Sequence, residues 1–345
     1  MEKEKKKNKS RIYLYIALAG LALIIGLMAS LLLIPLSSAQ EVQYIYIDDD
    51  DTQDSVFTKL VPIANKAGWA GFCHIARHTD YNEKIRTGRY AISPGESVLT
   101  VFRHLRNGAQ TPLRLTIPEA RTMDRLAAVL GQKLMLDSTA IADALFSQET
   151  CQQYGYDTAT IAAMFVPNTY EVYWDTKLST FLNRMQKEHD RFWEGDREAK
   201  AAQMQLTPIE ICTLASIIDE ETANNAEKPM IAGMYLNRLA KNMPLQADPT
   251  IKFALKQFEL KRIWQKLLQI DSPYNTYRNE GLPPGPIKIA SIQGIDAVLN
   301  HTKHDYLYMC AKEDFSGTHN FASNYKEHLL NAAKYTKALN ERGIK

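Results

Sequence analysis

An α+β body carried behind an N-terminal transmembrane helix is the fold class this sequence predicts, on three observations. Residues 12–36 form an apolar run without a charged side chain. Short alternating stretches such as Tyr44–Ile47 (YIYI) read as strands, and they are interspersed with longer segments of helical period. A third signal is an explicit helix start at Thr207, Pro208 and Glu210: an N-cap hydroxyl, proline at the first helical position and a capping-box glutamate three residues on. The chain has 345 residues with 45% hydrophobic content, which suffices for two or three domains with real cores.

The N-terminus makes a topological statement. Met1–Arg11 holds six Lys/Arg against two glutamates, so the positive-inside rule predicts a cytoplasmic tail over residues 1–11. The 25 uncharged residues that follow are long enough to cross a bilayer with some tilt. A cleavable signal is the alternative, with Ser37-Ser38-Ala39 as the small-residue site, but signal h-regions run only about 7–15 residues. The expectation is a single-pass protein of the inner (cytoplasmic) membrane, with everything after Leu36 outside the cytoplasm. Of the net charge of +2, the tail supplies +4, so the remainder is about −2 and offers no basic surface for nucleic acid. Cys73, Cys151, Cys212 and Cys310 form no CxxC pair, which argues against zinc. Cys212 and Cys310 lie in apolar runs and read as buried thiols, in a location that would permit disulfides.

Residues 37–53 read as a linker and first strand, ending at Asp48–Asp51. Without a following oxygen-ligand spacing, these four aspartates are a solvated turn rather than a calcium loop. VFTKLVPIANK (56–66) reads as a helix that Gly68 or Gly71 would end. YAISPGESVLT (90–100) reads as strand, Pro-Gly turn and helix with Ser97 as cap, a cadence that recurs at Leu115–Leu130. Residues 131–205 are mainly helical, with Phe181–Lys200 rich in exposed Arg, Lys and Glu.

From Thr207 onward the register is fixed. At about 100° per residue, Ile211, Leu214, Ala215 and Ile218 share one helix face, and Glu221 continues it one turn later, while Asp219 sits at the margin and Glu220 points away. A carboxylic acid at the mouth of an apolar surface is partly desolvated, holds its proton near neutral pH and can act as a general acid. The plain alternative is a solvated acidic triplet at a helix end.

Five blocks occur in order: LASIIDEET (214–222), AGMYLNRL (232–239), MPLQADPT (243–250), YNTYRNEGLPPGPI (274–287) and GTHNF (317–321). Together they resemble the signature of the membrane-anchored endolytic murein transglycosylases, the MltG or YceG-like family. The resemblance implies a LysM-like peptidoglycan-binding region over residues 54–130, a helical connection over 131–205 and a mixed α+β transglycosylase domain over 206–345. It also implies cleavage of the β-1,4 bond between N-acetylmuramic acid and N-acetylglucosamine by the sugar's own 6-hydroxyl, giving a 1,6-anhydro end and needing no cofactor or metal. Peptidoglycan strands would be the substrate, and peptidoglycan synthases possible partners.

In the family pattern Glu221 occupies the glutamate of the E-T pair and would serve as acid and then base. Asp219 stands where the family often has another glutamate. Asn168 stands where an aspartate is usual, with Ala162 and Ala163 replacing a Glu-Gly pair, so Asn168 is not assigned to catalysis. Gln246, Asn275 and Tyr277 suit sugar binding, because amides and phenols pair with N-acetyl and hydroxyl groups. Asp248, before Pro249, reads as the N-cap of a helix over Thr250–Leu255 with a contribution to the cleft rim. Asn237 and Arg238 read as structural anchors, and His319 as a hydrogen-bonded support or a base. Two alternatives stand: a hydrolysing muramidase with Asp248 as base, and a non-catalytic peptidoglycan-binding scaffold.

Overall fold

The computed structural model describes residues 2–260 and 263–343, with the side chains of residues 2–11, 24, 25, 27 and 28 outside the description. Two compact units emerge: residues 1–114 with 171–176, and residues 115–170 with 177–345.

In the first unit a long helix, α1 (Glu2–Leu33), is followed by β1 (Gln43–Ile47), α2 (Gln53–Leu60), α3 (Lys66–Arg77), β2 (Gly88–Ile92) and α4 (Val98–Asn107). β1 and β2 pair antiparallel, from Gln43 opposite Ile92 to Ile47 opposite Gly88. The period of two sends Ile45 and Ile47 into a core with Leu60, Phe72, Tyr90 and Phe102, and leaves Tyr44 and Tyr46 exposed. α2 is opened by a reciprocal Thr52–Ser55 capping box. α4 is capped by Ser97 and closed by Gly108 at φ 70°, a left-handed position glycine takes without strain. The Asp48–Asp51 turn is pinned by Lys59, which pairs with Asp48 at 2.8 Å and with Asp51.

The expected transmembrane helix is corrected. Among the described residues no helix is long and apolar enough to cross a membrane, and the expectation of a single-pass protein of the cytoplasmic membrane falls with it. The helix does not start at Ile12: α1 runs unbroken from Glu2 and so takes in the charged tail. At its other end the apolar run is consumed by the unit's own core. Leu36 is fully buried, its N–H donates to Glu96 O at 2.9 Å, and Leu32 and Ile34 pack on the same cluster.

That packing also explains why Gly68 and Gly71 lie inside α3 instead of ending it. A Cβ at Gly71 would sit 2.6 Å from Leu31 O, and one at Gly68 would collide with Leu36 O. The glycines are the price of letting two backbones approach. The helix expected over 56–66 is instead interrupted over residues 61–65, which contain Pro62: α2 ends at Leu60 and α3 starts at Lys66.

The second unit contains α5 (Met123–Lys133), α6 (Ser138–Phe146), α7 (Gln148–Gln153), α8 (Leu178–Trp193), α9 (Asp196–Met204), α10 (Pro208–Glu221), α11 (Lys228–Ala240), α12 (Asp248–Leu255) and α13 (Ile292–Leu299). It ends with β5 (Tyr308–Ala311), β6 (His319–Ala322) and α14 (Tyr325–Glu341). The unit boundary falls within β3 (Leu113–Thr116) and β4 (Thr169–Val172), which pair with each other. Each sheet among the described residues has two strands, so helices supply most of the core. The fold is α+β, as expected, and among the described residues no helix is long and apolar enough to cross a membrane.

α10 is the axis of this unit. Its Thr207/Glu210 capping box and Pro208 are in place. Every residue from Ile211 to Ile218 is buried, so the helix is enclosed rather than laid on a surface. The polar residues that enclosure traps are satisfied locally: Thr213 Oγ1 donates to Ile209 O at 2.8 Å, and Ser216 Oγ donates to Thr213 O and accepts from Ile287 N–H at 3.0 Å. Full burial of Ile211, Leu214, Ile217 and Ile218 contributes about 1.5–3 kcal/mol each.

α11 approaches the 302–304 segment so closely that a Cβ at Gly233 would overlap Thr302 O and lie 2.8 Å from His304 Nε2. The Gly233→Ala substitution is therefore expected to cost about 1–3 kcal/mol by overpacking, despite alanine's better helix propensity. Urea denaturation measures it; an unchanged or higher midpoint would refute the close-packing account.

Candidate active site

α10 delivers three consecutive acids to three different fates. Asp219 is buried with Lys228, the two 2% and 7% exposed and 2.7 Å apart, and it also accepts from Ser291 N–H and Oγ–H at 2.7 Å each. Glu220 turns outward to Arg121, 2.9 Å away, with Lys288 at 3.8 Å. Glu221, the last residue of α10, is half-buried, faces a cavity of about 360 Å³ and has no ion pair among the described residues. Its Oε1 accepts a hydrogen bond from the Tyr235 hydroxyl at 2.7 Å. Tyr235 is itself buried and comes from α11, the helix packed beside α10.

Burial pushes the Glu221 carboxyl up to about 7. The Tyr235 hydrogen bond and the nearby His319 and Lys252 pull it back, while Asp248 pushes it further up. Desolvation wins over these partners, so the acid holds its proton near neutral pH, as required of a proton donor. The Tyr235 hydroxyl is moved well above its ordinary value by burial and by Glu221, so it remains a donor.

The cavity rim is built by the segment between α11 and α12. Gln246 sits at φ 53°, a left-handed conformation costly for a non-glycine residue, and is held there by its N–H to Thr276 O at 2.9 Å. Its Oε1 accepts from Arg238 Nη2 at 2.6 Å. Arg238 also donates to Pro244 O and Leu307 O, which makes it a clamp on the rim.

The expectation for Asp248 needs correction. It is the first residue of α12, not its cap; Ala247 holds the cap position without a side-chain bond. Thr250 and Thr276 secure that helix start: Thr250 Oγ1 donates to Ala247 O at 2.7 Å, and Thr276 Oγ1 accepts from Ala247 N–H at 3.0 Å. This frees the Asp248 carboxylate, which lines the cavity and accepts from the Tyr277 hydroxyl at 2.5 Å.

Of the residues singled out from sequence, Glu221, Gln246, Asp248, Tyr277 and His319 converge on this cavity. Asn275 does not. It is fully buried, its amide donating to Leu268 O at 3.0 Å and Ile270 O at 2.8 Å and its Oδ1 accepting from Tyr277 N–H at 3.0 Å. Asn275 shapes the loop that presents Tyr277 and has no group left for a sugar. His319 is braced by Glu227, which accepts from its N–H at 2.7 Å and contacts Nδ1 at 2.8 Å. Asn237 donates to His304 O at 2.6 Å and Tyr306 O at 3.0 Å, the structural anchoring expected of it.

Sequence reasoning missed Tyr235, Glu227, His328 and the β5 residues Tyr308–Ala311, all at or supporting the cavity. Tyr235 had a signal, since it lies inside the AGMYLNRL block; β5 had none beyond its apolar run. The four cysteines are all free: Cys212 is buried as expected, and Cys310 only half-buried.

This geometry defines a class: an α+β protein organised around a proton-holding carboxylic acid that lines a polar cavity. The chain belongs to the YceG-like family, which it matches over residues 45–334. It is 30% identical over 274 residues to the endolytic murein transglycosylase of Bacillus subtilis strain 168, covering 74% of this chain and 75% of that protein. With the endolytic murein transglycosylase of Streptococcus pneumoniae serotype 2 strain D39 it shares 28% identity over 297 residues, covering 77% of this chain and 53% of the relative, so it spans about half that protein's length. The crystal structure of a YceG-like protein from Listeria monocytogenes aligns with a TM-score of 0.55 at 26% identity, covering 85% of this chain and 99% of that one.

A raised carboxyl pKa has a stability signature. The folded state holds the Glu221 proton more tightly than the unfolded chain, so this group's stabilising contribution is complete below the ordinary carboxylate range and is lost as pH rises through about 7. Glu221→Gln, which cannot ionise and still accepts from Tyr235, is expected to be more stable than the parent at pH 8 by about 1–3 kcal/mol and close to it at pH 4. Denaturant titrations at the two pH values check this; equal stability at pH 8 would contradict the desolvated-acid account.

Proposed function

We propose that this chain is an endolytic murein transglycosylase, cutting peptidoglycan strands internally with Glu221 as the acid. The single observation that carries the reading is Glu221 itself: a carboxyl held protonated near neutrality, opening on a cavity lined by amide, phenol and imidazole groups. Membership of the YceG-like family and the naming of its relatives support it.

Glycosidic cleavage requires a proton on the leaving oxygen and a nucleophile for the anomeric carbon. Glu221 donates the proton as the bond to the leaving N-acetylglucosamine breaks. The resulting carboxylate then takes the proton of the muramic 6-hydroxyl as that oxygen bonds to the anomeric carbon, which closes the 1,6-anhydro ring and regenerates the acid. The Tyr235 hydrogen bond steadies the carboxylate between these steps. Gln246, Tyr277 and His319 orient the sugar. An oriented internal hydroxyl has an effective molarity of up to about 10⁵ M or more, against roughly 55 M for water, so ring closure outcompetes hydrolysis wherever that grip holds.

One observation favours a second reading. Asp248 is not consumed as a helix cap and stands in the same cavity, where it could activate water and make the enzyme a hydrolysing muramidase. We further read the first unit as the LysM-like glycan-binding part, supported by its strand-turn-helix element at β2–α4 and by the exposed Tyr44 and Tyr46. Peptidoglycan synthases are natural partners for an enzyme that trims their product.

Glu221→Gln is expected to lower turnover by about 10²–10⁴ with the fold intact, whereas Glu220→Gln, at an outward ion pair, changes it little. The kcat of the parent should fall as pH rises above about 7, where the acid loses its proton. Equal losses in the two variants would refute the assignment of Glu221.

Mass analysis of digested peptidoglycan decides between the two reactions. The expected fragments end in 1,6-anhydro-N-acetylmuramic acid and resist borohydride reduction. Reducing-end muramic acid as the main product would favour hydrolysis with Asp248 as base.

A further inference from the structure

Part of the cavity wall is a strand, β5, that pairs with another strand along one edge. β5 belongs to a two-stranded sheet, so β6 occupies one edge and, among the described residues, no strand pairs with the other; α14 packs against β5 through Tyr325 and His328 on Tyr308. The register pairs Tyr308 with Ala322, Met309 with Phe321, Cys310 with Asn320 and Ala311 with His319. Lys312 N–H donates to Thr318 O at 2.9 Å, which fixes the alternation: Cys310 and Tyr308 also turn their backbone groups to β6, and Met309 and Ala311 turn theirs away. All four β5 residues line the cavity that holds Glu221.

We propose that this free edge of β5 binds the peptide carried by the glycan strand, as an added strand hydrogen-bonded to the backbone of Met309 and Ala311. The inference rests on the peptidoglycan reading above and adds a second recognition element to it.

Chemistry at both ends of the edge suits that occupant. Arg238 bonds Leu307 O just before the strand, and at its far end Lys334 acts electrostatically on Cys310 and on the Glu313 carboxylate, so a cation is felt at each end of the strand where a peptide bearing carboxylates would run. His328 Nδ1, also on the cavity wall, is a buried polar atom without a hydrogen-bond partner among the described residues. Strand addition to a sheet edge gains affinity from main-chain bonds and tolerates variation in side chains. A sugar bound at Glu221 carries its peptide on the same ring, so one ligand can reach both elements of the cavity.

The test uses the full chain carrying Glu221→Gln and measures amide hydrogen exchange with a disaccharide-tetrapeptide and with the peptide-free disaccharide. Exchange at Met309 and Ala311 is expected to slow at least tenfold with the peptide-bearing ligand alone. In turnover, the active chain should cut peptide-bearing strands about tenfold more efficiently than amidase-stripped strands, the gain expected of two backbone hydrogen bonds. Ala311→Pro, which removes an outward N–H, should erase that ratio.

Unchanged exchange at Met309 and Ala311 overturns the proposal even if Ala311→Pro does not fold. Equal cutting of both strands by the parent also overturns it while leaving the enzymatic reading intact. Cutting of neither strand would instead overturn the enzymatic reading.

Discussion

The second unit turns on the acid at the end of α10. Glu221 has one hydrogen bond, from a buried phenol, and no ion pair among the described residues, with Lys252 and His319 acting on it only through space, while the two acids before it are neutralised by Lys228 and Arg121. A carboxylate with a close cation would have a depressed pKa and could not donate a proton at neutral pH. Placing Lys228 on Asp219, and Arg121 with Lys288 on Glu220, keeps those cations away from Glu221. The rest of the unit follows from the requirement to bury α10 while leaving its last residue open on one side.

Stability and chemistry are thereby divided along one helix. The buried Asp219–Lys228–Ser291 cluster ties the end of α10 to the starts of α11 and α13, and removing one partner of such a pair typically costs about 3–5 kcal/mol. Gly294 allows it, because a Cβ there would stand 2.6 Å from Asp219 Oδ1. Two residues later the helix ends, and the same packing that protects Asp219 leaves Glu221 desolvated but facing space. The second anchor is the rim, where Arg238 ties Gln246 to Pro244 and Leu307 and so couples the α11–α12 loop to the base of β5. A loop carrying a left-handed Gln246 needs such over-determination to persist.

The N-terminal region shows how one apolar run can serve a purpose other than the one its composition suggests. Hydropathy counts residues without asking what they touch. The segment Leu31–Leu36 abuts α3, its carbonyls pressed against Gly68 and Gly71, and Leu36 is as buried as any core side chain. Glycines that a pattern reader takes as helix stops are, in three dimensions, the groove that accepts this segment.

The sequence by itself determined what depends on local register: the capped start of α10, the alternation of β1, the Ser97 cap of α4, and the ordered blocks that carry the family. Local rules suffice there, because helix phase and strand parity are set by the chain's own geometry. The single apolar face expected to set Glu221 apart is absent, since α10 is buried all round and the Asp219 side chain is buried too. Tertiary structure alone decided which polar residues near Glu221 remain available. Asn275 and Asp248 carry equally suitable groups, yet loop carbonyls consume the first and the Thr250–Thr276 hydroxyls free the second. It also decided that Tyr235 meets Glu221 and that β5 lines the same cavity. A side chain's availability is set by partners distant in sequence, since a hydrogen-bonding group satisfied inside the fold has nothing left to offer a ligand.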